Sequence, residues 1–202
     1  MARNPPRVIT LEAVRRALRH HRPKTVDAPG ASPAAVALVL LAEPKHGIEI
    51  LLIRRAERSD DPWSGQIAFP GGRKEASDPD LLTTAMRETG EETGVDLSTA
   101  VQLGALDDLY PQAPTLPPVV VRPFVFALTA RPPLTRSDEV QRAFWVPLEH
   151  LREPGVQREV TLTLRGAKRT FPAYLVGDGG NEVIWGMTER ILTPFLVLTQ
   201  TV

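Results

Sequence analysis

Phe69-Pro70-Gly71-Gly72 and, after a polar loop, Arg87-Glu88-Thr89-Gly90-Glu91-Glu92-Thr93-Gly94-Val95 decide the fold of this chain. The second stretch closes a helix expected over 80–93. Asp78 or Asp80 is placed to cap its start, and Gly94 to stop it. At about 100° per residue, Thr84, Glu88, Glu91 and Glu92 share one face of that helix. Leu82, Ala85, Met86 and Thr89 share another, which suits packing on a sheet. Like charges at i,i+4 weaken an isolated helix, and glutamates gathered on one anchored face become tolerable when a cation sits between them. Such carboxylates suit a hard divalent ion, Mg²⁺ or Mn²⁺, which keeps waters and takes phosphate oxygens as further ligands. Against this, a run of glutamates on a helix is most often a solvated face. The Pro-Gly-Gly turn ahead tilts the balance, because glycine lets backbone approach a phosphate or metal closely.

Shorter elements surround this segment. Thr10 caps a helix running to about His20, with Leu11, Val14 and Leu18 on one face. A loop rich in proline and small residues spans Arg22–Pro33. Ala34–Ala42 and Ile48–Arg54 read as strands joined by the turn Pro44-Lys45-His46-Gly47. Gln66–Phe69 is a short strand that stops at Pro70-Gly71-Gly72. Val101–Leu106, Val119–Leu128 and Ala143–Val146 are strand-like, and Val160–Leu164 and Arg169–Val176 flank the basic turn Arg165–Lys168. A closing helix runs from about Trp185 to Leu198, bent or interrupted near Pro194. Without regular βαβ alternation, the class is α+β with a mixed sheet. An N-terminal helix and loop, 1–33, precede a main domain, 34–202.

The chain has 202 residues, enough for one domain with a real core. Its 24 basic and 24 acidic side chains cancel, which removes the usual electrostatic case for a nucleic-acid or anionic-membrane binder. With no cysteine there is no disulfide, thiolate metal site or cysteine nucleophile. Met1–Pro6 has no apolar leader and Ala34–Ala42 is far too short for a membrane span, so a cytoplasmic protein is expected. Global neutrality hides a local bias. From Glu75 to Glu92 there are six acids and one base, Arg87, for a local charge of −5.

In spacing, the deciding segment resembles the signature box of the Nudix hydrolases, G-x5-E-x7-R-E-U-x-E-E-x-G-U with U a bulky apolar residue. Gly72 matches the opening glycine, and Arg87, Glu88, Glu91, Glu92, Gly94 and Val95 match the second half. The loop from Gly72 to Arg87 is one residue longer than the pattern, its carboxylate is Asp78 or Asp80 in place of Glu, and Thr89 fills an apolar slot. Leu51-Leu52-Ile53-Arg54-Arg55-Ala56 with Gly65-Gln66-Ile67-Ala68-Phe69-Pro70-Gly71-Gly72 is similar to the extra motif of the coenzyme A pyrophosphatase branch. There Ile53 replaces a threonine, the spacer is one residue longer, and Asp61 stands near an arginine slot. Ile184-Trp185-Gly186-Met187-Thr188 and Arg190-Ile191-Leu192 also look like that branch.

The resemblance implies a Nudix fold, a mixed sheet sandwiched between helices (α/β/α). It implies metal-dependent attack of water on the pyrophosphate of a nucleoside diphosphate linked to a group X, with coenzyme A or a derivative as substrate. Glu88, Glu91 and Glu92 would hold Mg²⁺ or Mn²⁺, with the Gly72 carbonyl as an added ligand. Arg87 would pair with a box carboxylate and fix its rotamer. The general base is a box glutamate such as Glu88 or Glu91, or Glu139 from a later loop; a solvated loop acid is the plainer reading of Glu139. Arg55, Gln66 and Gly71 are candidates for holding substrate, although Arg55 also reads as an edge arginine. Asp107-Asp108 shape the site or cap a strand. His150 reads as a surface residue and Trp185 as core. Alternative substrates are ADP-ribose, dinucleoside polyphosphates or (d)NTPs. A Nudix-fold binding module without catalysis is a further alternative, disfavoured because the box glutamates remain. The partner expected is a small nucleotide or coenzyme A, with no nucleic acid and no membrane. A homodimer is left open, through the N-terminal helix and the strands around Val119–Leu128.

Overall fold

A strand as uniformly apolar as Ala34–Ala42 needs cover on both faces. The computed structural model describes residues 9–45, 47–57, 64–112, 117–164 and 166–200. His46, Asp61, Arg165 and the segment Met1–Pro6 lie outside the described residues. In chain order the elements are α1 (Leu11–His20), β1 (Ser32–Glu43), β2 (Gly47–Arg55), β3 (Ile67–Ala68), β4 (Gly71–Arg73), α2 (Leu81–Thr93), β5 (Val101–Ala105), β6 (Val119–Leu128), β7 (Val140–Pro147), β8 (Gln157–Leu164), β9 (Ala167–Val176), β10 (Glu182–Trp185) and α3 (Gly186–Leu198).

β1 runs parallel to β6 along Ser32–Leu41 and antiparallel to β2 over Leu40–Glu43. At its other end β4 takes the place of β2, pairing with Ala34–Val36. β2 pairs with β7 along its outer edge and with β3 at Ile53–Arg54. β5 lies against β6 at the far side. The segment from β3 through Pro70 to β4 is therefore a wedge between diverging β1 and β2. The Ala37 N–H donates to the Pro70 carbonyl at 2.9 Å and holds the wedge in place. A second, antiparallel sheet has the order β10-β9-β8.

The two faces of β1 feed two cores. Ala35, Ala37 and Val39 pack with Leu51, Phe126 and Ala85 of α2. Leu38 and Leu40 pack with Ile50 and Leu52, with Val14 and Leu18 of α1, and with Leu192 and Phe195 of α3. Each large side chain buried this way contributes about 1.5–3 kcal/mol. The mixed sheet thus lies between helices, as expected for the α+β sandwich. Thr10 caps α1 by accepting from the Ala13 N–H at 3.1 Å. No helix among the described residues is long and apolar enough to cross a membrane.

The structure refines several of these expectations. The strand before Pro70 does not simply stop there: Gly71–Arg73 pairs with β1, because that edge is left open where β2 veers off. Glu182–Trp185 forms a further strand, β10, paired with β9, and Trp185 is the cap residue from which α3 starts, as expected. α3 runs uninterrupted through Pro194; the missing N–H leaves the carbonyl of exposed Arg190 to solvent, and the buried face carries the helix. Val119–Leu128 is flanked by β1 and β5, and most of its side chains are buried.

Candidate active site

Two aspartates at the start of α2 divide the work that the sequence left open between them. Asp80 is the N-cap, accepting from the Thr83 N–H at 2.7 Å. Asp78 is buried and takes Arg87 in a two-pronged pair, Nε to Oδ1 and Nη2 to Oδ2, both at 3.0 Å. The Glu75 N–H and the Thr84 hydroxyl also donate to its Oδ2, at 2.9 and 3.0 Å. These donors, the Arg87 guanidinium first, hold the Asp78 carboxyl far below the ordinary carboxylate range. The same pairing raises the pKa of Arg87. Arg87 also donates to Glu91 Oε2 at 2.9 Å and lies 3.0 Å from Glu88 Oε1. The expected pairing with a box carboxylate is therefore present, and the main anchor is the loop acid Asp78.

The buried side of α2 is unusually polar. Thr89 and Thr93 are fully buried, and each hydroxyl donates to the carbonyl four residues back, at 2.7 and 2.6 Å. A back-bonded hydroxyl leaves only its methyl to pack, which is how Thr89 fills an apolar slot. The helix ends at Gly94, whose backbone is left-handed at φ 72°.

The box glutamates do not share one environment. Glu92 is buried beneath β4, and its Oε2 accepts from the Gly71 N–H at 2.8 Å. Its Oε1 lies 4.0 Å from Arg55 Nη1, beyond hydrogen-bonding reach. Burial pushes the Glu92 carboxyl up to about 8, with repulsion from Glu88 and Glu139 adding to it. Burial likewise raises Glu88, and Arg87 opposes that shift. Glu91, by contrast, is exposed, turned to Arg87 and outside the cleft. Gly71 and Gly72 let the strand pass between β1 and α2. A Cβ on Gly71, at φ 151°, would strike the Ala35 carbonyl, and one on Gly72 would run into the Glu88 carboxylate.

A cleft of 320 Å³ opens where β1 and β2 diverge. Arg55, Gln66, Gly71, Gly72, Glu88, Glu92 and Glu139 all line it, from five separate segments. Residues absent from the sequence-based set line it too: Arg73, Val119, Val121, Met187, Thr188 and Ile191. Only the branch-like stretch around Met187-Thr188 signalled any of these in advance. Asp107 and Asp108 lie elsewhere and fasten the N-terminal loop. Asp108 takes Arg122 at 2.8 and 2.9 Å and accepts from the Val26 N–H, while Asp107 accepts from the Lys24 N–H. His150 faces Glu153 at 3.4 Å, and Trp185 is half-buried against Phe171.

The cleft suits a hard cation. Its donors are carboxylate oxygens, and burial pushes the Glu92 carboxyl up to about 8 although Arg55 lies 4.0 Å away. Among the described residues no three acidic or histidine side chains enclose an ion by themselves. An ion held there would keep waters and take phosphate oxygens as further ligands.

A split mixed sheet between helices, with a glutamate-bearing helix beside a Pro-Gly-Gly turn, defines a Nudix-type domain. The family model described as NUDIX domain matches residues 31–165. Uncharacterized protein C14C4.10c of Schizosaccharomyces pombe is 37% identical over 132 residues, 62% of this chain and 40% of that protein. The human protein named mitochondrial coenzyme A diphosphatase NUDT8 is 32% identical over 168 residues, 82% of this chain and 69% of that one. The crystal structure of a MutT/nudix family protein from Enterococcus faecalis superposes with a TM-score of 0.56 at 20% identity, covering 96% of this chain and 69% of that one, and so shares the fold. The chain belongs to the Nudix hydrolase family.

Proposed function

We propose that the protein is a metal-dependent pyrophosphohydrolase that cleaves coenzyme A or its derivatives at the diphosphate. The observation that carries this reading is the meeting of Glu88, Glu92 and Glu139 in one cleft beside Gly71, Gly72 and Arg55. Glu88 and Glu92, with the Gly72 backbone, are the residues to hold Mg²⁺ or Mn²⁺, and Glu91 stands by on the Arg87 side. A bound divalent ion would offset the phosphate charge and lower the pKa of a water. Glu139, facing Glu88 and Glu92 across the cleft, is positioned to take the proton of that water. Arg55 supplies a cation near the phosphates, and Arg87, clamped by Asp78, keeps the glutamate helix in register.

Coenzyme A as substrate is supported by the branch-like motif and by the names of the human and mouse relatives. Ile53, where that motif has threonine, is fully buried in β2 and not part of the cleft wall, so this departure leaves the wall unchanged. A panel of coenzyme A, ADP-ribose, a dinucleoside polyphosphate and a (d)NTP, each with Mg²⁺ or Mn²⁺ and with products identified, tests the reading. The expected products are 3′,5′-ADP and 4′-phosphopantetheine. Fast cleavage of ADP-ribose beside inert coenzyme A would overturn the substrate assignment and leave the pyrophosphohydrolase standing.

A further inference from the structure

The cleft has two unlike halves. Its acidic end carries Arg55, Glu88, Glu92 and Glu139, while its other end is walled by Val36, Phe69, Val119, Val121, Met187 and Ile191. This apolar end lies on the α3 side of the split sheet, and all six of its walls come from the strands, the wedge or the first turns of α3. Beyond Gln66 and Arg73, it offers few groups that can read a hydrogen-bonding pattern. β1 is already paired on both edges here, to β4 and to β6. The Thr188 hydroxyl is committed to the Ile67 carbonyl at 3.0 Å, a bond that ties α3 to β3 across 121 residues. A nucleobase lodged at this end would leave ring nitrogens and exocyclic groups unpaired, whereas methyl and methylene groups would lose nothing.

We infer that the apolar end receives the X arm of the substrate and not its base. The arm it fits is flexible, uncharged and rich in methyl and methylene groups, with the diphosphate at the Glu88–Glu92 end. The inference rests on the pyrophosphohydrolase reading above and adds to it the direction in which the substrate lies. Met187 and Ile191 are then specificity-determining residues, supplied by a helix outside the glutamate box.

Methionine is rare enough here to report on the site directly. The chain has three, of which Met187 lines the cleft and Met86 packs in the core on the opposite face of the sheet. With ¹³C-methyl methionine, Met187→Leu assigns its resonance, and Met86 serves as the internal control. Titration with pantetheine should move the Met187 signal and leave Met86 in place, while adenosine moves neither. A Met187 signal that answers to adenosine and not to pantetheine, or to neither, overturns the inference. This experiment needs no turnover, so the two readings fail separately. Coenzyme A cleaved with Met187 silent to pantetheine refutes the arm site alone. Coenzyme A inert with Met187 responsive refutes the substrate assignment and supports the arm site. Met187→Trp, folded by its melting curve, should raise KM for coenzyme A about tenfold with kcat within about twofold; an unchanged KM counts against the arm site.

Discussion

Asp78 and Glu92 flank opposite ends of the same helix, and both are buried, yet their surroundings act on them in opposite directions. Asp78 has a two-pronged arginine, a backbone N–H and a hydroxyl, and its carboxyl is held strongly acidic. Glu92 has one backbone N–H, with Arg55 at 4.0 Å and two acids nearby, and its carboxyl is pushed up to about 8. A satisfied buried carboxylate anchors structure, whereas one left short of positive charge marks a place where a cation is needed. The loop end of α2 is thus complete in itself, and the cleft end is where we propose that a cation binds.

Changes at the cleft end should affect activity most. Glu92→Gln and Glu88→Gln are each expected to cut metal-dependent turnover by about 10³-fold while the protein stays folded, checked by steady-state rates and melting curves. Gly72→Ala, which places a methyl against the Glu88 carboxylate, should lower kcat about 10–100-fold with little loss of secondary structure by circular dichroism. Asp78→Asn sharpens the contrast from the other end. It leaves Arg87 without its main partner, so Tm should fall by about 5 °C, and activity should fall only as far as the helix shifts.

Titration of the metal-free protein separates the two carboxylates by sign. Glu92 titrates at 4.5 when unfolded and about 8 when folded, so its contribution turns against the folded state as pH rises from 4.5 to 8 and is constant above that. Asp78 is displaced the other way from 3.8, so its contribution is present above pH 3.8 and is lost as pH falls through the folded value. Tm measured against pH in chelator should therefore sag toward pH 8 in the native chain and sag less in Glu92→Gln. The smallest effect is expected at Asp80, which only caps α2: Asp80→Ala should lower Tm by about 2–4 °C and leave the Glu92 titration unchanged.

Much of this was legible in the sequence where local rules decide. The continuous apolar run of β1, the cap and stop of α2, and the strand at Val119–Leu128 follow from pattern and turn chemistry alone. The spacing of Glu88 and Glu92 also put them on one face, and both line the cleft. What escaped depends on how distant segments meet. Helical spacing places Glu91 beside Glu88 and Glu92, and in the structure it is exposed and pairs with Arg87. Asp78 and Asp80 were equivalent as residues, and only the tertiary position of Arg87 separates them. β4 became a strand because β2 diverges from β1, a property of the sheet and not of Gly71–Arg73. The apolar walls from β6 carry no local signal of sharing a cleft with α3, and only the branch-like stretch hinted at the walls from α3, whose Thr188 bonds to Ile67 121 positions earlier.

The most direct measurement of the central claim is calorimetric titration of the metal-free protein with Mn²⁺ at pH 7, in two buffers of different ionisation enthalpy. A Glu92 carboxyl that ionises only near 8 must give up its proton to hold the ion. The native chain should release about one proton per ion bound, and Glu92→Gln should bind more weakly and release none. Binding without proton release, or equal affinity in Glu92→Gln, would contradict the account of the cleft as a cation site.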